Sequence, residues 1–160
     1  MARKKGFRIQ VEDSPYRLIV KASKIDRVGV FAGKAIPQGR KVLIYGGEKL
    51  CFEDAAVRRW LALKRNPRAR TFMARLNRLW VIDGAVGGNG AERINHCCDP
   101  NVYFRRAYGR IFIYSRRQIR KGEELTLDYR FPKAPVGIPC HCGSPKCRGY
   151  INRRLKRSRG

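Results

Sequence analysis

The densest group of chemically useful side chains lies in residues 95–101, which read NHCCDPN. This short segment contains two amides, an imidazole, two thiols and a carboxylate. Burying so many polar groups costs free energy unless each one finds a hydrogen-bond partner. The segment is therefore either a polar turn capped by its own Asn and Asp side chains or part of a built site.

A second polar segment, residues 121–129, reads KGEELTLDY. Its glycine predicts a turn, and the alternation that follows predicts a strand ending on Asp128 and Tyr129. An Asp-Tyr pair at the end of a strand is common in proteins. On its own, this segment predicts no particular chemistry.

A third segment contains Cys140, Cys142 and Cys147, a CxC pair with a further cysteine shortly after it. Thiolates at such short spacing are suited to holding a metal ion. The even cysteine count of the chain would also allow disulfides. However, the spacing is uneven, so metal binding is the better interpretation.

The N-terminal residues do not predict a secretory signal. Residues 2–5 are mostly basic, as at the start of such a signal, but residues 7–13, which read FRIQVED, follow where a continuous apolar stretch is needed. No apolar run approaches the length that crosses a bilayer. We therefore expect an intracellular protein without membrane association in a reducing compartment: cytoplasmic or nucleoid-associated in a bacterium, nuclear in a eukaryote.

The elements that must position these residues are mostly short strands. Strands are predicted within residues 6–46, and again at 79–82, 102–104 and 111–114. One helix is predicted over about residues 53–66, where acidic residues favour its start and basic residues its end. Its apolar stripe at the helical period consists of Ala56, Val57, Trp60, Leu61 and Leu63.

Charge is the strongest feature of the composition. The chain has 37 Lys and Arg residues against 12 Asp and Glu residues, a formal net charge of +25. Such a surface attracts polyanions, above all nucleic acid, and salt screens the attraction. The alternative is a solvated basic surface that serves solubility alone.

Four segments in chain order resemble the motifs of SET-domain protein-lysine methyltransferases. Residues 27–39 resemble the first motif, a G-x-G-[VL]-F-A strand with its following turn, and residues 95–101 resemble N-H-S-C-x-P-N. Residues 122–129 resemble G-E-E-L-T-x-D-Y, and residues 140–151 resemble the post-SET pattern C-x-C-x4-C-R-G-x-[LI]. The resemblance implies a mainly β fold, a β-rich α+β arrangement of small curved sheets with a pseudoknot and a C-terminal zinc-stapled segment.

The resemblance also implies a function, S-adenosylmethionine-dependent methyl transfer to a lysine amine of a protein substrate. Tyr129 would be the catalytic residue, and Phe72 and Leu127 would line the lysine channel. The residues implied in cofactor binding are Gly29, Val30, Asn95, His96 and Tyr150.

A structural zinc ion is implied as well. A zinc site of this type takes four ligands, and the resemblance gives Cys98 as the fourth thiolate beside Cys140, Cys142 and Cys147. Cys97 and His141 could compete as ligands, although local packing or hydrogen bonding is the expected role of each. Cys51, just before the helix, is expected to be a small buried apolar residue.

The expected organisation has four parts. These are a basic N-terminal segment with a possible strand (1–15), the SET domain (16–132), a post-SET zinc segment (133–151) and a basic tail (152–160). Glu92 stands where an Arg that faces the cofactor is common, and Phe72 where a second channel Tyr is common. These departures leave two alternatives open: a catalytically weak SET module, or a basic zinc-stapled protein that binds nucleic acid or protein.

Overall fold

A computed structural model describes residues 7–8, 14–66, 69–132 and 137–152 of the chain. Eleven strands, one α-helix and one 3₁₀ turn are formed by these residues. The elements are β1 (Phe7–Arg8), β2 (Leu18–Ala22), β3 (Val28–Ala32), β4 (Lys41–Ile44), β5 (Glu48–Cys51), α1 (Phe52–Arg65), β6 (Met73–Arg75), β7 (Trp80–Asp83), the 3₁₀ turn (Ala91–Arg93), β8 (Asn95–His96), β9 (Val102–Ala107), β10 (Arg110–Ser115) and β11 (Glu124–Leu127).

The strands form three small sheets, as the expected mainly β fold requires. The orders are β1-β2-β3-β11-β8, β4-β10-β9 and β5-β7-β6. All pairs are antiparallel except β8 with β11, which run parallel, with Asn95 opposite Thr126 and His96 opposite Leu127. The predicted strand across residues 7–11 is seen at Phe7–Arg8, and residues 9–13 lie outside the described part of the chain.

The main core lies between the first two sheets. Its fully buried side chains come from β2, β3, β4, β10 and β11, and they include Leu18, Val30, Leu43, Ile113 and Leu125. Strand β10 follows the period-2 pattern, with Ile111, Ile113 and Ser115 buried, whereas β4 buries the adjacent residues Val42 and Leu43. This shared core fixes the position of β11 relative to β3, which matters for the site.

Helix α1 covers nearly the predicted range, but its N-terminus corrects one expectation. The Cys51 sulfur accepts a hydrogen bond from the Asp54 backbone N–H at 3.4 Å and so caps the first turn. Cys51 is half-buried rather than a buried core residue. Cys51 caps the helix because of its position before the first turn, where backbone N–H groups need an acceptor. The acidic residues Glu53 and Asp54 of that turn also mark the start of the helix.

The apolar stripe of α1 is present but is not packed on this core. Ala55 is the buried residue of the helix, whereas Val57 and Trp60 are 56% and 59% exposed. The helix is instead tied to the β5-β7-β6 sheet by Arg58, whose guanidinium contacts Glu48 at 2.7 Å and Asp83 at 2.9 Å. The apolar stripe that periodicity predicted is therefore a largely exposed face of the helix.

Among the described residues, no helix is long and apolar enough to cross a membrane.

Buried Asn101 closes the segment that precedes β9 onto β11. Its amide nitrogen donates to the Glu124 carbonyl at 2.8 Å and to the Glu123 carboxylate at 2.9 Å. Its amide oxygen accepts the Thr126 backbone N–H at 2.8 Å. One side chain therefore satisfies two backbone groups of β11, the strand that also pairs with β8.

The Asn101→Ala variant should be destabilised by about 2–3 kcal/mol, because buried backbone groups of β11 lose their partners. Urea unfolding followed by circular dichroism measures the change. Gln118→Ala removes an exposed amide and should stay within about 0.5 kcal/mol of the parent. Equal effects of the two substitutions would show that the Asn101 hydrogen bonds do not support the fold.

Candidate active site

A carboxylate at the start of β11 connects the two strands on either side. The Glu124 carboxylate accepts hydrogen bonds from the Ser23 hydroxyl at 2.8 and 2.9 Å and from the Asn95 amide at 2.8 Å. The same Asn95 amide donates to the Val28 carbonyl at 2.9 Å. Asn95 is thus buried in a network that holds β8, β11 and β3 together.

Gly29 in β3 lies directly against this carboxylate. A Cβ built on Gly29 would overlap the Glu124 carboxylate oxygen and would come within 3.1 Å of the Asn95 amide nitrogen. The carboxylate is held by its bonds to Ser23 and Asn95, so it cannot move aside without breaking them. Val30, the residue after Gly29, is fully buried in the main core.

His96 is buried beside Tyr129 and the first cysteine of the metal group. Burial lowers the pKa of His96, an effect that the nearby Asp128 carboxylate partly opposes. The ring is therefore neutral at pH 7, and Nδ1 accepts the Tyr129 backbone N–H at 3.2 Å. That acceptor role places the ring proton on Nε2, which lies 3.5 Å from the Cys98 sulfur.

The Tyr129 side chain is half-buried and stays protonated. Its hydroxyl donates to the Ile94 carbonyl at 2.9 Å, and its ring meets that of His96 edge-on at 5.3 Å. Burial raises the pKa of Tyr129 to about 12. The phenol can therefore donate to Ile94 while its oxygen remains able to accept a hydrogen bond.

Tyr45 is a further residue of this site that sequence reasoning missed. It follows β4, and its hydroxyl donates to the Phe72 carbonyl at 2.6 Å. Burial raises the pKa of Tyr45 well above its ordinary value, and the negative charges of Glu92 and Asp83 add to the shift. The signal available in the sequence was a tyrosine between a strand of buried residues and two glycines. Glycines at the end of a strand allow another part of the backbone to approach closely.

The two predicted channel residues, Phe72 and Leu127, are both half-buried. Phe72 is half-buried, with the Arg93 guanidinium 5.7 Å from its ring centroid, and it contributes its carbonyl to Tyr45. Leu127 is half-buried against the main core and lies opposite His96 in the β8–β11 pair. Tyr45, rather than Phe72, provides the second phenol.

Glu92 has a role that the expected Arg could not fill. Its side chain is 9% exposed, and its carboxylate accepts the Gly90 backbone N–H at 2.8 Å. It also packs against Gly84 and Gly88, where an added Cβ would meet it. The position therefore brings a negative charge close to Tyr45.

The four predicted cysteine ligands lie together. The sulfurs of Cys98, Cys140, Cys142 and Cys147 are all within 4.8 Å of one another. Cys98 lies 3.7 Å from Cys140 and 4.0 Å from Cys147. Tetrahedral zinc with bonds of about 2.3 Å requires sulfur–sulfur distances of about 3.8 Å, so the group fits that ion.

The two competing ligands lie outside this group. The Cys97 thiol exchanges hydrogen bonds with the backbone of Asp99 at 3.4 Å and is buried, whereas His141 is exposed.

Burial raises the pKa of the Cys142 thiol, but hydrogen bonds from backbone groups of Cys98 and Ser144 outweigh it and lower the value to about 6. Cys142 is therefore ready to ligate as a thiolate.

An ion pair joins the C-terminal segment to the strand end beside Tyr129. The Arg148 guanidinium contacts both oxygens of the Asp128 carboxylate, at 2.8 and 3.1 Å. Tyr150 lies in the same segment, bridged to Pro139 and packed on Gly137. Its predicted role in cofactor binding stays a prediction.

Comparison with known proteins agrees with this arrangement. The sequence model of the SET domain matches residues 27–130, well over half of the chain. The chain belongs to the SET-domain family. The structure of the methyltransferase domain of human histone-lysine N-methyltransferase SETMAR superposes with a TM-score of 0.74, covering 88% of this chain and 60% of that one at 21% identity. That likeness shows a shared SET fold.

Several histone-lysine N-methyltransferases are similar in sequence to this SET domain. Trithorax of Drosophila melanogaster is 37% identical over 139 residues, 81% of this chain and 4% of the fly protein. The H3 lysine-4 specific enzyme of Schizosaccharomyces pombe is 39% identical over 134 residues, 81% of this chain and 14% of the yeast protein. The chain therefore spans a small part of the length of these relatives.

Gly29→Ala should destabilise the protein by about 1–3 kcal/mol, because the new methyl group displaces the Glu124 carboxylate. Urea unfolding measures the loss. In the Gly29→Ala background, Glu124→Ala should cost at least about 0.5 kcal/mol less than it does alone, since the clash is relieved. Strictly additive effects would show that the glycine is not required by this close approach.

Proposed function

We propose that this SET domain transfers a methyl group from S-adenosylmethionine to a lysine side-chain amine of a protein. The observation that supports it most is the protonated hydroxyl of half-buried Tyr129 beside neutral His96, at the end of the β8–β11 pair. The names of the relatives given above, all histone-lysine N-methyltransferases, agree with this chemistry.

The cofactor assignment rests on the sheet that joins β3, β11 and β8. This sheet brings Gly29, Asn95 and His96, which are far apart in the sequence, to one place. S-adenosylmethionine supplies a methyl group already activated on a sulfonium sulfur. The chain's own residues need only to bind the reactants, align them and keep water out.

The two phenols act on the acceptor amine in this proposal. Burial keeps both Tyr45 and Tyr129 protonated. Tyr129 donates to Ile94, so its oxygen can accept an N–H of the amine and orient the nitrogen lone pair. A poorly solvated channel also favours the neutral amine, because burial disfavours the ammonium form.

The zinc assignment rests on the four convergent thiols. Cys98 lies next to His96 on the segment of β8, and the other three cysteines lie in the C-terminal segment. A zinc ion there would fasten the C-terminal segment beside Tyr129, in addition to the ion pair of Arg148 with Asp128. Structural zinc contributes folding free energy directly.

The acceptor protein and the location follow from charge. The acidic residues that could have formed a groove for a basic substrate are engaged within the fold: Asp83 with Arg58, Glu124 with Ser23 and Asn95, and Glu92 with Gly90. A basic substrate such as a histone would thus meet a chain of net charge +25. We infer that both meet on nucleic acid, which neutralises each, in the nucleus or nucleoid.

Tyr129→Phe should lower turnover by about 100-fold through misplacement of the amine, with little change in S-adenosylmethionine affinity. Asn95→Ala should weaken cofactor binding and also lower the free energy of unfolding, because the same amide bonds to Val28 and Glu124. Calorimetry measures the affinity, and release of S-adenosylhomocysteine over a panel of basic proteins measures turnover. Tyr108→Phe is the control, since it removes an exposed hydroxyl remote from these residues in the sequence. A folded protein that binds the cofactor without any turnover would instead support the binding-module alternative.

The metal proposal predicts one zinc per chain by elemental analysis, with loss of the metal in Cys140→Ser. Because the thiols then lack their ion, the variant should also unfold at a lower urea concentration. Cys51→Ser is the matched control, since Cys51 caps α1 outside the cysteine group. Metal-free protein of parental stability would contradict the zinc assignment.

A further inference from the structure

The turn that joins β9 to β10 contains a residue that turns of its type do not favour. Tyr108 and Gly109 have φ values of 49° and 68°, and they join Ala107 to its partner Arg110. This is the geometry of a two-residue type I′ turn, whose first position favours Asn, Asp or Gly. A bulky side chain is strained there. Tyr108 is also 96% exposed, so packing within the described residues does not offset the strain.

The same hairpin presents aromatic side chains on the outer face of its sheet. Ile113 of β10 is buried, so its neighbours Phe112 and Tyr114 lie on the opposite face by strand alternation. Across from them in β9 are Arg105 and Tyr103. The Tyr103 and Tyr114 rings stack at 5.8 Å between centroids with planes 24° apart. Tyr103 remains 37% exposed.

We name as the hairpin face the residues Lys41, Tyr103, Arg105, Tyr108, Arg110 and Tyr114. Lys41 belongs to it because it lies opposite Tyr114 in the β4–β10 pair. Within the part of the chain that the structure describes, no ion pair engages Lys41, Arg105 or Arg110. The positive charges of Lys41, Arg105 and Arg110 are therefore not neutralised by an acidic side chain in the described part of the chain.

The sequence of this region is one-sided in charge. Residues 100–122 contain seven Lys and Arg residues and no Asp or Glu. Attraction of anions is thus expected along the whole hairpin. A ligand that fits must combine negative charge with flat faces that can stack on tyrosine rings.

We propose that the hairpin face binds single-stranded nucleic acid. Unpaired bases stack on Tyr108 and on the exposed part of Tyr103, while Lys41, Arg105 and Arg110 contact phosphates. A duplex hides its base faces, so it could use the basic residues alone. Residues on one face of a strand are about 6.8 Å apart and neighbouring strands about 4.8 Å apart, an area suited to two or three nucleotides.

Fluorescence anisotropy with a labelled mixed-sequence single strand of about 12 nucleotides, and with its duplex, tests this on the full chain. The single strand should bind more tightly than the duplex. Tyr108→Ala should weaken single-strand binding roughly ten-fold, and Tyr108→Phe should retain it, because stacking needs the ring and not the hydroxyl. Trp60→Ala is the matched control, since it removes an exposed aromatic from helix α1 and should leave the affinity unchanged.

A salt series separates the contribution of charge. Arg110→Ala should reduce the slope of log K against log salt by about 0.7, the value for one phosphate contact on a single strand. Arg59→Ala, on exposed helix α1, should change the slope less. Duplex binding as tight as single-strand binding, an unchanged affinity of Tyr108→Ala, or equal competition by polyglutamate would each overturn the proposal.

This surface is independent of methyl transfer. Tyr108→Ala should bind S-adenosylmethionine as the parent does, because Tyr108 lies at the tip of a hairpin and makes none of the hydrogen bonds around Glu124, His96 and Tyr129. Failure of single-strand binding at the hairpin face would therefore leave the proposed methyl-transfer chemistry untouched, although it would remove one surface on which enzyme and substrate could meet on nucleic acid. Failure of methyl transfer would leave the hairpin face untouched.

Discussion

The parallel pairing of β8 with β11 is the constraint on which the site depends. It sets Asn95 opposite Thr126 and His96 opposite Leu127, and the Cys97 N–H extends it to the Leu127 carbonyl at 3.0 Å. A parallel pair of strands this short has few ladder hydrogen bonds. Buried Asn101 lies at the other end of the segment that begins with β8, and its side chain bonds to β11. These hydrogen bonds therefore help to keep β8 beside β11.

The distribution of acidic groups explains how a chain with so few of them can be both stable and strongly basic outside. Glu123, Glu124 and Asp128 all accept hydrogen bonds that join distant segments. Buried charges need such partners, since an unpaired carboxylate would be costly. These three acids therefore serve the fold, while others such as Glu48, Asp26 and Asp99 remain substantially exposed. The basic surface follows mainly from composition, the excess of Lys and Arg over Asp and Glu.

The failed expectation for Cys51 and the exposure of the α1 stripe have one physical reason, which is that residue type and periodicity describe an element without its surroundings. The apolar stripe of α1 was predicted, but its residues Trp60 and Val57 are exposed. Cys51 has the character of a buried residue, yet it caps a helix because orphan N–H groups need an acceptor there. Tyr45 was missed because its partner, the Phe72 carbonyl, is a backbone group that no residue pattern marks.

The sequence by itself determined the family, the mainly β fold, the helix and the set of cysteines, because these depend on local patterns and on motifs in chain order. Only the tertiary structure decided which side chains meet. Cys98 reaches Cys140 across 42 positions, and Asn95 reaches Val28 across 67. Such contacts depend on sheet order and on the shared core, and many orders are compatible with the same strands. Glu92 is the local counterpart, because its carboxylate accepts the N–H of Gly90, only two residues away in the chain.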